Sequence, residues 1–98
     1  NQNLDFVLGF KLEQWECRMI FRQLMQGLEH THGAGVIHGG LDLNSIIITD
    51  ISDEDQDLFS ALKVTLTGFD HAVVSPLFHG KMVDVWAAGI LLYQMVEE

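Results

Sequence analysis

The segment Met82–Val96 constrains this chain more than any other. Val83, Val85, Trp86, Ala87, Ala88, Ile90, Leu91, Leu92, Tyr93, Met95 and Val96 leave almost no polar face at helical spacing. A helix apolar all round belongs at the centre of a domain, with other elements packed about it. Its longest apolar tract, Val85–Tyr93, is too short to span a bilayer and carries Gly89, so membrane insertion is not expected. With 98 residues the chain holds one small core and can cover such a helix on one side only. An uncovered face centred on Trp86, Ile90, Tyr93 and Val96 is therefore expected, and with it self-association or a protein partner at the Trp86–Tyr93 helix.

The natural packing partner is Leu12–His32. Its apolar positions Met19/Ile20, Leu24, Leu28 and Thr31 recur every three to four residues, and Phe21 and Met25 widen the stripe. Gly33 fits the left-handed position just past the helix end. Asn3–Leu8 reads as one or two further helical turns. Gly35–Ile37 and Ile46–Thr49 are short apolar segments, the second rich in β-branched isoleucine, and Lys63–Thr67 alternates as a strand with Val64 and Leu66 on one side. His38–Ser45 must be a loop, because its glycines and Asp/Asn residues continue neither element. His71–Gly80, with the only proline, Pro76, reads as irregular. These elements predict an α+β fold, mainly helical.

Charge and composition exclude several roles. A formal net charge of −9 disfavours nucleic acid and anionic membrane surfaces as partners. The single cysteine, Cys17, rules out an internal disulfide, sits among apolar neighbours as a structural thiol, and suits a reducing compartment. No secretory leader is visible at Asn1-Gln2-Asn3, so an intracellular, cytoplasmic location is expected. The connection Asp50–Leu62 carries Asp50, Asp53, Glu54, Asp55 and Asp57, but lacks the glycine and terminal glutamate of an EF-hand loop, and reads as a solvated loop with a short turn at Leu58–Leu62.

Three motifs in order carry a family resemblance. V-I-H-G-G-L-D-L-N-S-I-I-I at Val36–Ile48 resembles the catalytic loop of the protein kinase family, H-R-D-L-K-P-E-N-I-L-L; His38, Leu41, Ile46, Ile47 and Ile48 fit. Lys63–Ala72 is similar to the strand ending in D-F-G, and Val83–Met95 to the helix D-V-W-S-L-G-V-I-L-Y-x-M. Ile20–His38 looks like the helix leading into the catalytic loop. The resemblance implies that residues 1–98 form a single partial kinase-like domain: a C-terminal lobe with a long amphipathic helix, short strands around a catalytic-loop-like segment, and an apolar central helix. Neither a glycine-rich phosphate loop nor a V-A-I-K lysine occurs, so no upper lobe is expected within the chain. Residues 71–83 are a short substitute for the family's activation segment and contain no A-P-E.

The chemistry of the resemblance is degenerate. Kinase catalysis uses a loop Asp that accepts the substrate hydroxyl proton, and an Asn and the D-F-G Asp that hold magnesium. Here those positions read Gly40, Ser45 and Gly68, and the loop lysine reads Asp42. Losing one electrostatic partner of this kind costs ~10²–10³ in rate. The resemblance further implies that His38 and Phe69 are core-stacking spine residues, that Ile47, Leu91 and Met95 are apolar spine positions, and that Asp84 anchors the catalytic loop through its backbone N–H groups. A binding or scaffold module of the pseudokinase type is expected, with no catalytic residue and no cofactor. The alternative is part of a kinase that phosphorylates protein Ser/Thr using ATP and magnesium, with missing elements supplied outside this chain.

Other ligand sets are weaker. His38, Asp42 and Asp70 are the candidate divalent-metal set, because their two loops adjoin in the family fold. His30 and His32 diverge by ~200° on a helix and cannot share a metal. His71 and His79, with His38, have no zinc-site spacing.

Overall fold

The computed structural model describes residues 2–10, 12–50, 62–74 and 78–96. The elements run β1 (Gln2–Asn3), α1 (Leu4–Val7), α2 (Gln14–Gly33), β2 (Val36–Ile37), β3 (Ile46–Asp50), β4 (Leu62–Leu66), β5 (Val73–Val74) and α3 (Phe78–Val96). The fold is α+β and mainly helical. Two small antiparallel sheets form: β1-β3-β4, with Ile46 opposite Leu66, and β2-β5, with Ile37 opposite Val73.

Local chemistry sets the boundaries. The Asn3 side chain accepts from the Phe6 N–H at 2.8 Å and starts α1. At the head of α2 the Glu16 carboxylate accepts the Glu13 N–H at 2.8 Å, so the helix begins at Gln14, two residues later than the apolar pattern from Leu12 suggests. Gly33 is still helical; the left-handed residue is Gly35, at φ 79°, because Ala34 first closes the last turn onto His30 and Thr31. The described residues of the segment 71–80 are more regular than the sequence suggests. Val73–Val74 pairs with Val36–Ile37, and α3 starts at Phe78, a turn before Met82. The acidic positions Asp53, Glu54, Asp55 and Asp57 and the Leu58–Leu62 turn lie outside the described residues, apart from Leu62 itself in β4.

The core lies where α2 meets α3 on one side and the β3-β4 sheet on the other. Cys17, Ile20, Leu24 and Leu28 mark the buried stripe of α2, and Asp84, Ala88, Leu91 and Met95 that of α3. Leu4, Leu41, Ile46 and Ile48 complete it. Both helices bury residues at spacings of three and four, so α3 commits one stripe inward although its composition is apolar all round. Ala87 and Leu92 are partly buried beside that stripe, whereas Met82, Val83, Val85, Trp86, Ile90, Tyr93 and Val96 are exposed. The sheet is tied to α2 by polar bonds: the Gln23 amide donates to the Leu62 carbonyl at 2.6 Å and accepts the Val64 N–H at 3.0 Å.

Truncating the shared stripe should be costly. Leu24→Ala and Leu91→Ala are each expected to lower unfolding stability by about 2–5 kcal/mol, as for fully buried leucines, whereas Trp86→Ala on the open face should stay within about 0.5 kcal/mol. Denaturant melts of the three variants provide the check.

Candidate functional site

The loop between β2 and β3 is held from α3. Asp84 is completely buried. Its Oδ2 accepts the His38 N–H at 2.8 Å and its Oδ1 the Gly39 N–H at 3.0 Å. The His32 Nε2 lies 2.8 Å from the same Oδ2. Burial pushes the Asp84 carboxyl up, yet the His32 bond, the two backbone N–H groups and the charge on His32 when protonated more than offset this, and the carboxyl ends below its ordinary value.

His38 is equally enclosed. Its Nε2 lies 2.7 Å from the Thr67 carbonyl, and its Nδ1 accepts the Gly40 N–H at 3.2 Å. One tautomer serves both bonds, with the proton on Nε2 and the lone pair on Nδ1. The imidazole therefore links the loop to the end of β4. Thr67 adds a second link, donating its N–H and its hydroxyl to the Ser45 carbonyl at 2.8 and 3.2 Å.

The positions where the kinase pattern carries catalytic groups are turned to local structure. Asp42 Oδ1 accepts the N–H groups of Asn44 and Ser45 at 2.9 and 3.2 Å and caps the short 3-10 turn Leu43–Ser45. The buried Ser45 hydroxyl donates to that same Oδ1 at 3.2 Å and accepts the Asp42 N–H at 3.3 Å. Gly68 is left-handed, at φ 73°, and turns the chain into a second 3-10 turn, Phe69–His71. That turn lies over the loop glycines. A Cβ on Gly39, itself at φ 83°, would meet the His71 carbonyl oxygen at 2.6 Å, and one on Gly40 would meet the His71 ring at 3.1 Å. The glycine pair gives His71 its place.

Several placements differ from the sequence reading. Phe69 packs on His38 at a tilt of 52°, with ring centroids 4.6 Å apart, but remains 37% exposed and is not a core residue. Its turn sits at the surface, where Asp70 and His71 are exposed as well. Ile47 is only half-buried, since its neighbours Ile46 and Ile48 take the inward positions of β3, whereas Leu91 and Met95 are buried. Asp70 is exposed, and Asp42 is engaged in its cap. Among the described residues no group of three His, Cys, Asp or Glu side chains converges as a metal site, so His38, Asp42 and Asp70 are not brought together. A hollow of about 540 Å³ lies along Trp15, Arg18 and Arg22 and another of about 400 Å³ on the outer face of α3, and neither opens at this loop. No helix among the described residues is long and apolar enough to cross a membrane.

The sequence reading missed His32 and His71. His32 carries one signal, a histidine in the last turn of a helix, where a cation suits the dipole; its partner lies 52 positions away and is unreadable locally. His71 gives no signal except the adjacent glycines it requires.

Removing the anchor should be severe. Asp84→Ala leaves the buried His38 N–H, the Gly39 N–H and the His32 ring without their acceptor and is expected to cost about 3–5 kcal/mol. Because the native carboxyl is depressed, its contribution is complete above the unfolded carboxyl value of about 3.9 and is lost as pH falls from there through the lowered native value. The stability gap between wild type and Asp84→Asn should be full above that window and close as pH falls through it in an acid titration.

The chain is similar over most of its length to several kinases. It is 30% identical over 88% of its length to human NUAK family SNF1-like kinase 1, and spans 15% of that protein. It is 29% identical over 92% of its length to serine/threonine-protein kinase PSK1 of Saccharomyces cerevisiae, spanning 8% of it. Against mouse testis-specific serine/threonine-protein kinase 5 the figures are 27% identity, 87% of this chain and 27% of the relative. No protein-family model matches the chain. Similarity of this extent to serine/threonine kinases, over a small share of each, relates the chain to the protein kinase family as part of its domain.

Proposed function

We propose that residues 1–98 are a C-terminal-lobe portion of a kinase-like domain that binds protein partners inside the cell and does not transfer phosphate, a pseudokinase-type module. The observation that carries this reading is the packing of His71 on Gly39 and Gly40. The place at which a catalytic carboxylate would project is taken by an imidazole, and Gly40 and Gly68 offer no side chain for a proton or a metal. Ser45 and Asp42 support the same reading, because they satisfy one another and the turn between them. The scaffolding bonds of Asp84 and His38 are intact, so the loop keeps its shape without its reactive groups. Spine roles for His38, Phe69, Ile47, Leu91 and Met95, and an anchor role for Asp84, belong to this proposal. The open face of α3 supports a protein partner there.

A ligand that binds the folded state raises its melting temperature. ATP with magnesium is expected to produce no shift, and the chain no phosphotransfer to a protein substrate. Gly40→Asp should remain inactive, since catalytic groups that work as a unit do not act singly. Magnesium-dependent turnover that disappears in Asp70→Asn would overturn the proposal.

A further inference from the structure

β4 lies at the end of its sheet, so one of its edges has no strand beside it. Side chains of α2 stand there instead. The Leu62 N–H donates to the Met19 Sδ at 3.4 Å. The Gln23 amide donates to the Leu62 carbonyl at 2.6 Å and accepts the Val64 N–H at 3.0 Å, so it uses its nitrogen and its oxygen as the backbone of a neighbouring strand would. One turn further on, a Cβ at Gly27 would come within 3.0 Å of the Leu66 side chain, so the α2 backbone runs close to the far end of β4.

Met19, Gln23 and Gly27 stand at successive fourth positions, on one face of α2. From Met19 to Gly27 the helix rises ~12 Å, and from Leu62 to Leu66 the strand rises ~13 Å. Helix and strand therefore run side by side, in the same direction and over matched lengths. Two other forces hold β4 without setting its place along α2. The ladder from Asp50 opposite Leu62 to Ile46 opposite Leu66 fixes β4 on β3. Apolar contact between the sheet and α2 is not directional. The amide bonds are: sliding β4 by one residue moves its backbone groups ~3.3 Å and breaks both. The Met19 sulfur is a weak acceptor and adds less.

This placement matters because β4 ends on the loop. Thr67, the residue after Leu66, offers its carbonyl to the His38 Nε2 at 2.7 Å and donates its N–H to the Ser45 carbonyl at 2.8 Å. We infer that Gln23 is a positioning residue for the loop His38–Ser45: it fixes β4 lengthwise on α2 and so sets the Thr67 carbonyl where the buried His38 ring is held. Asp84 thus sets the loop from α3, and Gln23 sets it from α2 through β4. The inference concerns the shape of the loop and stands apart from whether the chain transfers phosphate.

Proton NMR of the whole chain provides the test. The His38 Nε2–H is buried and bonded, and should give a slowly exchanging imidazole resonance. Gln23→Leu keeps the bulk of the side chain and removes both bonds. Amide exchange at Val64 should quicken about three- to tenfold, and the His38 resonance should shift and exchange faster with water. Gln23→Glu keeps an acceptor for the Val64 N–H but sets a carboxylate oxygen against the Leu62 carbonyl. Its Val64 amide should stay protected while the His38 resonance moves, and this variant decides the matter if Gln23→Leu does not fold. Arg22→Ala, at the adjacent exposed position, should leave both signals as in wild type. An unchanged His38 resonance in the Gln23 variants would reduce the amide to a local tie and overturn the inference. So would a His38 change in Arg22→Ala as large as that in Gln23→Leu.

Discussion

The buried carboxylate of Asp84 is the constraint on which the rest of the arrangement depends. A charge fully removed from water is tolerable only when donors surround it. Here they come from three directions: the His38 N–H, the Gly39 N–H and the His32 ring. One side chain on α3 thereby fixes the end of α2 and the start of the loop after β2. Hydrophobic packing of Leu24 and Leu28 near Leu91 brings the helices together without specifying rotation or register as sharply. The carboxylate adds direction, because displacing either helix by a turn would leave it with too few donors.

From Asp84 the order passes along the loop. His38 is set by its N–H and uses its ring to reach the Thr67 carbonyl, so the end of β4 follows from the position of α3. Thr67 returns two bonds to Ser45, and Ser45 closes on Asp42. Each member of this chain of bonds is polar and the central ones are buried, and among the described residues none of their side-chain atoms is left without a partner. Such networks specify one conformation because a partly made version costs more than none.

The long-period features were legible in the sequence. The α2 stripe, the strand at Lys63–Thr67, the loop His38–Ser45 and the isoleucine segment follow from periodicity and turn residues, and they give the α+β class. What could not be read were features decided by distant contacts. Which stripe of α3 turns inward is settled by Asp84, a residue that composition treats as a blemish in an apolar helix. The β2-β5 pair consists of two residues on each side, too short for any alternating pattern. The 3-10 turn at Phe69–His71 depends on the left-handed Gly68, and its seat depends on Gly39 and Gly40, so the placement of His71 and the openness of Phe69 follow from three glycines in two separate loops. Site positions were thus visible as residue types, and their partners were not.

The close seat of His71 on the glycine pair also sets an order in which substitutions can be accepted. A side chain at position 39 must first find room against a main-chain carbonyl, and one at position 40 against an imidazole. The first cannot enter until the turn at Phe69–His71 has moved, whereas the second asks the His71 ring to give by a few tenths of an ångström. That turn is placed by Gly68 and stacked on His38, and His38 is in turn bonded to the end of β4. A side chain at position 39 therefore waits on a change in the other loop that by itself contributes nothing to chemistry. Steps in the opposite direction meet no such barrier, since glycine fits wherever a larger residue did. At position 39 the geometry works as a ratchet on the sequence: it admits the loss of a side chain and resists its return.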